Sequence, residues 1–412
     1  MEIYPPQRLS PGDVPPRRGP LRASELGDGP CVMRQPRLRE DGRKLKEAAG
    51  KVEEGPGRST VEEMAMEKIG IGLIGTGSRG KRHLERLIAM EDVKVVGVAD
   101  PYEPNLREAV DMAGGDLRAF EDYRKLLELK DLEGVVIAAP QYLHAQIATD
   151  AFSAGKHVLC EKPMATTVAD CRRMIEASKE AGKVLQVRLQ LRFHPKMVGI
   201  HRAIEEKQIG QVKMAWYNNF RPPFFKKVGD FILQQRLSGG ALTEKNCHHF
   251  DLFEWFIGSP ATWVMASGGQ DWEYREGGKY ASMKDPDTKV DIVDNAWVIV
   301  DYENGARACL GLCLFCYYGG DPNFMGVIGT AGRIDGNQHG ATLWNEAHPD
   351  GVALEVGDWD ATEAELRHFL ECIREGKEPL VDGEKGLRSV AVALAAEKSI
   401  KEGRRVAVSE VM

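Results

Sequence analysis

The stretch KIGIGLIGTGSRG, residues 68–80, decides the fold. It begins with a short, continuous apolar run, the pattern of a strand buried on both faces. The run ends in Gly75-x-Gly77-x-x-Gly80, and RGKRHLERLIAM (79–90) then sets Leu84, Leu87 and Ile88 at helical spacing. Each glycine has its own task. Gly75 permits a tight turn, Gly77 lets a pyrophosphate approach the backbone, and Gly80 allows the helix to pack closely on the sheet. The helix N-terminus offers free N–H groups and positive dipole to an anion.

Standing alone, this glycine pattern is weak evidence and fits a purely structural turn. Here DVKVVGVAD (92–100) adds a second apolar strand ending in Asp100, about twenty residues beyond the turn. A carboxylate there can accept hydrogen bonds from both adenosine ribose hydroxyls and would repel a 2′-phosphate. A dinucleotide is therefore expected, NAD in preference to NADP. Gly75, Thr76, Gly77, Ser78, Arg79, Gly80 and Asp100 are its expected contacts.

Strand and helix patterns continue to alternate. DYRKLLELKDLEG (122–134) reads as a helix, VVIAAP (135–140) as a strand and YLHAQIATDAFSAG (142–155) as a helix. KHVLCEKP (156–163) reads as a strand, VADCRRMIEASKEAG (168–182) as a helix and KVLQVRLQL (183–191) as a strand. Such alternation predicts a parallel sheet covered on both faces, a Rossmann domain over 67–190. From 191 the texture changes. One helix (197–210) leads into QVKMAWYNNF, and after a further helix come several strand-like runs separated by turn signals. An α/β domain with a large, mostly antiparallel open sheet is expected over 191–412, its last two helices (361–402) packing back towards the first domain.

Residues 1–66 are rich in Pro, Gly, Arg and Glu and lack hydrophobic period, so this extension is expected to be disordered. MAMEK at 64–68 would make a natural beginning. The formal net charge of -7 gives no reason to expect nucleic-acid binding. No apolar run is long enough to span a bilayer and no secretory signal is evident, so a cytoplasmic location without membrane partners is expected. The eight scattered cysteines read as reduced thiols rather than a disulfide framework. Cys309, Cys313 and Cys316 have metal-like spacing, but strand alternation sets Cys316 opposite the other two, and sheet packing is the better reading.

ALTEKNCHHFDLF (241–253) concentrates the remaining chemistry. On a helix Glu244 and His248 share a face, as do Lys245 and His249. The run fits an acid/base relay, a charged helix face or a metal site. Adjacent histidines cannot both face one ion on a regular helix, and no metal is expected.

GLIGTGSRG, VVIAAPQYLHA and above all HVLCEKPMA (157–165) resemble the Gfo/Idh/MocA oxidoreductases, and the likeness runs over about 67–412. The resemblance implies sugar or polyol chemistry and oligomerisation through the open sheet, here as a homodimer or homotetramer. It sets Pro140 and His144 near the nicotinamide, and Glu161, Lys162 and Pro163 in the family's EKP motif, with Lys162 facing substrate and cofactor. Arg192 falls where members often carry an arginine before an aromatic. GGALTEKNCHHFDLF follows the pattern GGxLxDxGxHxxD: Glu244 replaces the usual Asp and Asn246 the usual Gly, while His248 and Asp251 match. Lys245, Cys247 and His249 are additions, and Gln141 stands where many relatives carry Asn.

A histidine with a carboxylate one turn away suits general-base work. The expected roles are His248 as base, Lys162 as its partner on the reacting oxygen, and Glu244 as orienter or substrate ligand. Arg192, Lys245, His249 and Asp251 are expected to bind substrate. The reading is an NAD-dependent oxidoreductase acting on a secondary hydroxyl of a sugar, cyclitol or sugar derivative. Two alternatives are an NAD-recycling sugar lyase or hydrolase working through transient oxidation, and a non-catalytic dinucleotide and sugar sensor.

Overall fold

The computed structural model describes residues 67–223, 228–272, 289–316, 324–337 and 339–412. The extension 1–66 lies outside the described residues, as do 224–227 of FRPPFFKKVGDF (220–231), a stretch whose sequence fits either a loop lining the substrate cleft or a plain surface loop. The first sheet is built from β1 (Ile69–Ile74), β2 (Val93–Ala99), β3 (Ala119–Phe120), β4 (Gly134–Ile137), β5 (His157–Cys160) and β6 (Leu185–Val187). All neighbouring pairs are parallel, in the order β3-β2-β1-β4-β5-β6. The order reverses beside β1, so the crevice at a doubly wound sheet's switch point opens beyond the end of the glycine-turn strand.

Between these strands run α1 (Ser78–Ala89), α2 (Glu103–Met112), α3 (Tyr123–Leu127), α4 (His144–Ser153) and α5 (Val168–Ala181). Two expectations shrink. The helix read over 122–134 ends after α3, and β6 is three residues long, giving way to a 3-10 turn at Gln190–Phe193. In both places the apolar run continues past the regular element, because the chain turns there to let the next element start.

The second sheet comprises β7 (Val212–Phe220), β8 (Ala261–Gly269), β9 (Asn295–Tyr302), β10 (Arg307–Cys313), β11 (Met325–Gly329), β12 (Gly332–Asn337), β13 (Gly340–Asn345), β14 (His348–Ala353) and β15 (Val406–Ala407). Its order is β14-β13-β12-β11-β7-β10-β9-β8-β15, antiparallel throughout except for β7 beside β10. The remaining helices are α6 (Pro195–Glu205), the single turn α7 (Gln235–Ser238), α8 (Ala241–Ile257), α9 (Ala361–Glu375) and α10 (Gly383–Glu402). Cys309 and Cys313 lie in β10, two residues either side of Gly311, and share a face. Cys316 lies beyond its end, donating its N–H to the Arg221 carbonyl.

One face of the second sheet is inside. Val264, Val298, Val300, Leu310, Leu312 and Val327 are buried in a core that also holds Phe250, Phe253, Val390 and Ala393 of α8 and α10. Alternation sends Met214, Trp263, Met265, Trp297 and Ile299 to the opposite face, where all are exposed.

The chain's end completes the first layer. Leu366, Phe369 and Leu370 of α9 share an apolar cluster with Leu84 and Leu87 of α1 and with Leu73, Val136 and Leu159 of the parallel sheet. Asp360 caps α9 by accepting from the Glu363 N–H at 2.8 Å, which fixes where that helix begins. Phe369 is 1% exposed within this seam. Its replacement by Ala is expected to lower the unfolding free energy by about 3–5 kcal/mol, measured by denaturant titration.

Candidate active site

The glycine turn has the shape a pyrophosphate needs. Gly75 is left-handed at φ 91, and a Cβ there would come within 2.6 Å of the Ala138–Ala139 backbone. A Cβ on Gly80 would stand 1.9 Å from the Gly75 carbonyl oxygen, so α1 can approach β1 only without one. Gly77 faces open space, with nothing nearer to its Cβ position than Asn105 Nδ2 at 3.9 Å. No side chain caps α1 and no acid occupies its first turn, so the N–H groups there are open to an anion. Asp100 is buried at the end of β2. Its Oδ2 accepts from the Thr76 N–H at 2.7 Å and hydroxyl at 3.1 Å, and its Oδ1 accepts from the Tyr102 N–H at 2.8 Å. The carboxylate thus braces the turn at the position from which a ribose would be read. These residues fit a dinucleotide.

Beside the turn lies a cleft of about 710 Å³. Arg79, Arg82 and His83 of α1, Arg188 and Gln190 beyond β6, and Trp359 and Thr362 at the start of α9 line part of it. The indole N–H of Trp359 donates to the Phe193 carbonyl at 2.9 Å and anchors that wall.

The ends of β4 and β5 are tied together by His144. Its ring nitrogens lie 2.9 Å from the Pro163 carbonyl and 2.9 Å from the Ala139 carbonyl. His144 is therefore a strut between the Pro140 turn and the EKP turn. Burial holds its pKa below the ordinary imidazole value against both carbonyls. Glu161 faces inwards: its Oε1 lies 2.9 Å from His83 Nε2, 3.4 Å from Arg188 Nε and 3.7 Å from Arg79 Nε. Its Oε2 accepts from the Lys162 N–H at 3.2 Å.

Lys162 leaves the first domain and meets the second. Its Nζ donates to the Glu244 main-chain carbonyl at 2.5 Å and stands 3.5 Å from Glu244 Oε1. The other carboxylate oxygen lies 2.7 Å from Lys245 Nζ. Burial raises the Glu244 pKa, but Lys162, Lys245 and Arg221 outweigh it and hold the group at about 2. Lys245 is depressed to about 7 by burial, with Lys162 and Arg221 adding to the effect and Glu244 opposing it. The helical geometry that suggested a Glu244–His248 pair is present, yet no hydrogen bond joins them. The two lysines are stronger partners for the carboxylate than a neutral ring.

His248 is buried with its Nδ1 unpartnered among the described residues. Burial, then the Lys162 ammonium and the His249 ring, keep its pKa well below the ordinary value, so it is a neutral base at neutral pH. His249 turns elsewhere: its ring packs 4.1 Å from that of Tyr217, and Nδ1 lies 3.2 Å from Asn246 Nδ2. Burial and then Lys162 depress it to about 3.

Arg192 and Asp251, expected among the substrate ligands, are given to each other. Arg192 Nε donates to Asp251 Oδ2 at 2.8 Å and Nη2 to Oδ1 at 2.7 Å, both side chains being buried. A bidentate pair of this kind satisfies both groups and locks α8 to the 3-10 turn after β6. Two glycines set the start of α8. Gly239 and Gly240 have φ 75 and 87, and a Cβ on Gly240 would stand 2.5 Å from Glu397 Oε1.

Sequence reading missed His83, Arg188, Arg221 and Glu365. His83 sits one turn past the glycine motif and was absorbed into the helix; the other three carry no local motif at all. Among the described residues no group of three or more His, Cys, Asp and Glu is arranged to hold a metal.

A dinucleotide cradle at the switch point, with a lysine and a neutral histidine brought together beyond it, defines the class of nicotinamide-dependent oxidoreductases. Residues 69–189 match a family described as oxidoreductases with an NAD-binding Rossmann fold, and 201–408 match its C-terminal alpha/beta domain. The chain belongs to this Gfo/Idh/MocA family of oxidoreductases. It is 28% identical to a myo-inositol 2-dehydrogenase of Thermotoga maritima, over 83% of this chain and 99% of that protein. It is 26% identical to a scyllo-inositol 2-dehydrogenase (NAD(+)) of Bacillus subtilis, over 81% and 94%. A probable dehydrogenase from Thermotoga maritima, of known crystal structure, superposes with a TM-score of 0.68 at 27% identity, over 83% of this chain and all of that one.

Lys245 gives up its proton near pH 7 in the folded protein, whereas an unfolded lysine keeps it to about 10.5. The unfolded chain therefore binds more protons between those values, and this site makes stability rise with pH across that window. Lys245→Met is expected to flatten that rise, measured by denaturant unfolding at pH 7 and 9.

Proposed function

We propose that this oxidoreductase is an NAD-dependent dehydrogenase acting on a secondary hydroxyl of a sugar, cyclitol or sugar derivative. One observation carries the reading: the Lys162 ammonium reaches the first turn of α8, and one turn further on lies the neutral imidazole of His248, its Nδ1 without a partner among the described residues. Gly75 to Gly80, Asp100 and the Pro140 and Lys162 turns would hold a dinucleotide, whose nicotinamide would supply the hydride acceptor.

The protein's own part is proton and charge. His248 takes the hydroxyl proton at a ring nitrogen, and burial keeps that nitrogen free of a competing proton beforehand. Lys162 donates a hydrogen bond to the same oxygen and stabilises its alkoxide character as C–H bond cleavage proceeds. Glu244 fixes both lysines in place. Arg221 brings further positive charge towards the substrate, and Lys245 adds an amine that titrates near pH 7. His249 lies one residue along the helix with its ring packed on Tyr217, and the Arg192–Asp251 pair holds that helix in register. Asp100 supports NAD over NADP, because a 2′-phosphate would meet a buried carboxylate. The dehydrogenases of myo- and scyllo-inositol among the relatives favour polyols and cyclitols as the first substrates to try.

We also propose that the exposed face bearing Met214, Trp263, Met265, Trp297 and Ile299 is covered by a second copy of the chain. Five large apolar side chains on one flat face form the kind of patch that marks a protein interface.

A panel of sugars, polyols and cyclitols, followed by nicotinamide absorbance, tests the activity. NADH accumulation in proportion to substrate consumed is expected; turnover without it would favour the recycling chemistry. His248→Ala is expected to lower kcat by roughly 10²–10⁴-fold. Calorimetry should find its NAD binding unchanged. Sedimentation should find the parent chain dimeric or larger, and Trp297→Glu shifted towards monomer.

A further inference from the structure

Behind the EKP turn, one buried guanidinium serves two buried carboxyls. Arg188 Nε stands 3.4 Å from Glu161 Oε1 and 3.1 Å from Glu365 Oε2. Its Nη2 donates to the Thr362 hydroxyl at 3.0 Å. Arg188 is 1% exposed and Glu365 0%. Neither approach to Nε has the alignment of a hydrogen bond: Arg188 Nε and both Glu365 carboxyl oxygens lack a hydrogen-bond partner among the described residues. The neighbouring His83 Nδ1 and Gln186 Oε1 are likewise unpartnered. Glu161 is better served, because α1 also gives it His83 and Arg79. The charged and titratable groups that face Glu365 are therefore Arg188 from the end of β6, Glu161 from the end of β5, and Arg79 from α1.

We propose that Glu365 is a positioning residue for the cofactor site: it shares Arg188 with Glu161, and dinucleotide binding is coupled to retention of a proton on the Glu365 carboxyl. The proposal rests on the dinucleotide reading above. Two ionised carboxylates on one dry guanidinium leave a negative charge uncompensated, which burial makes expensive. Arg79 can offset that charge only while it is free to face inwards. It belongs to the glycine turn, its side chain is 42% exposed, and a bound pyrophosphate draws on the same guanidinium. With Arg79 engaged by the cofactor, the pair must carry its own balance, and one carboxyl stays protonated.

That carboxyl is Glu365. Burial first, with the Glu161 charge adding and Arg188 opposing, pushes it up to about 8. Glu161 stays well below the carboxylate range: Arg188, His83 and Arg79 overcome its burial. When Glu365 ionises, it competes for the Arg188 guanidinium. Glu161, whose other oxygen holds the Lys162 N–H, then loses part of its support. The cost appears as weaker dinucleotide binding. By reciprocity, dinucleotide binding takes up a proton near this pH.

NADH titrated into the full chain between pH 6.5 and 9.5, read by nicotinamide fluorescence, tests this. The Kd is expected to be level below about pH 8 and to rise by up to about tenfold per pH unit above it. Glu365→Gln, which mimics the protonated carboxyl, is expected to bind tightly with no such rise. Calorimetry of the unmodified protein at pH 8.5 in two buffers of different ionisation enthalpy should show proton uptake on binding, which requires no variant to fold. Uptake that persists in Glu365→Gln, or that disappears in Lys245→Met instead, overturns the proposal. So does a flat Kd in the unmodified protein, which leaves the dinucleotide reading intact. A protein that binds no NADH at any pH overturns both.

Discussion

The Lys162 ammonium joins the parallel sheet to helix α8. It leaves the end of β5, where the parallel sheet presents its ligand edge, and donates to a carbonyl in the first turn of α8 in the second domain. The same helix carries Glu244, Lys245 and His248, so this contact decides where the second domain's chemistry stands relative to the glycine turn. A bare ammonium held there would be costly. Glu244 compensates it, and Lys245 on the far oxygen keeps the carboxylate from closing fully onto Lys162. The result is a lysine that stands 3.5 Å from its carboxylate, near a histidine that its positive charge helps to keep neutral.

Around that contact the fold is arranged as a set of braces. His144 ties the β4 and β5 turns, Asp100 ties the glycine turn to β2, and Arg192 with Asp251 ties α8 to the turn after β6. Each brace is buried and polar. Such groups contribute little to stability on balance but are expensive to disconnect, so they define one geometry rather than a range of them. The apolar seam formed by α9 against α1 works at a longer distance. It brings Thr362 and Glu365 under Arg188, and so makes the start of α9 part of the wall of the cleft beside the glycine turn.

Helix α8 shows what a family pattern transmits and what it leaves open. The substitution of Glu for the usual Asp at 244 lengthens the side chain by one methylene, and the added Lys245 gives that longer carboxylate a partner on its own helix. The carboxylate consequently faces lysines rather than His248. The histidine is left without an orienting acid and takes its neutral state from burial and from nearby positive charge. In place of the expected histidine–carboxylate relay stands a lysine–carboxylate–lysine cluster beside a buried imidazole.

By itself the sequence determined whatever is local. The glycine spacing, the strand before it, Asp100 at the end of β2, the EKP turn and the helical placement of Glu244 and His248 were all legible, because backbone sterics and helical periodicity act over a few residues. The tertiary structure alone decided the pairings. His83 meets Glu161 across 78 positions, Lys162 meets Glu244 across 82, and Arg188 meets Thr362 across 174. Residue spacing carries no information about partners so far apart. They find each other only when apolar packing has closed the two layers and left each buried charge no other group to satisfy it.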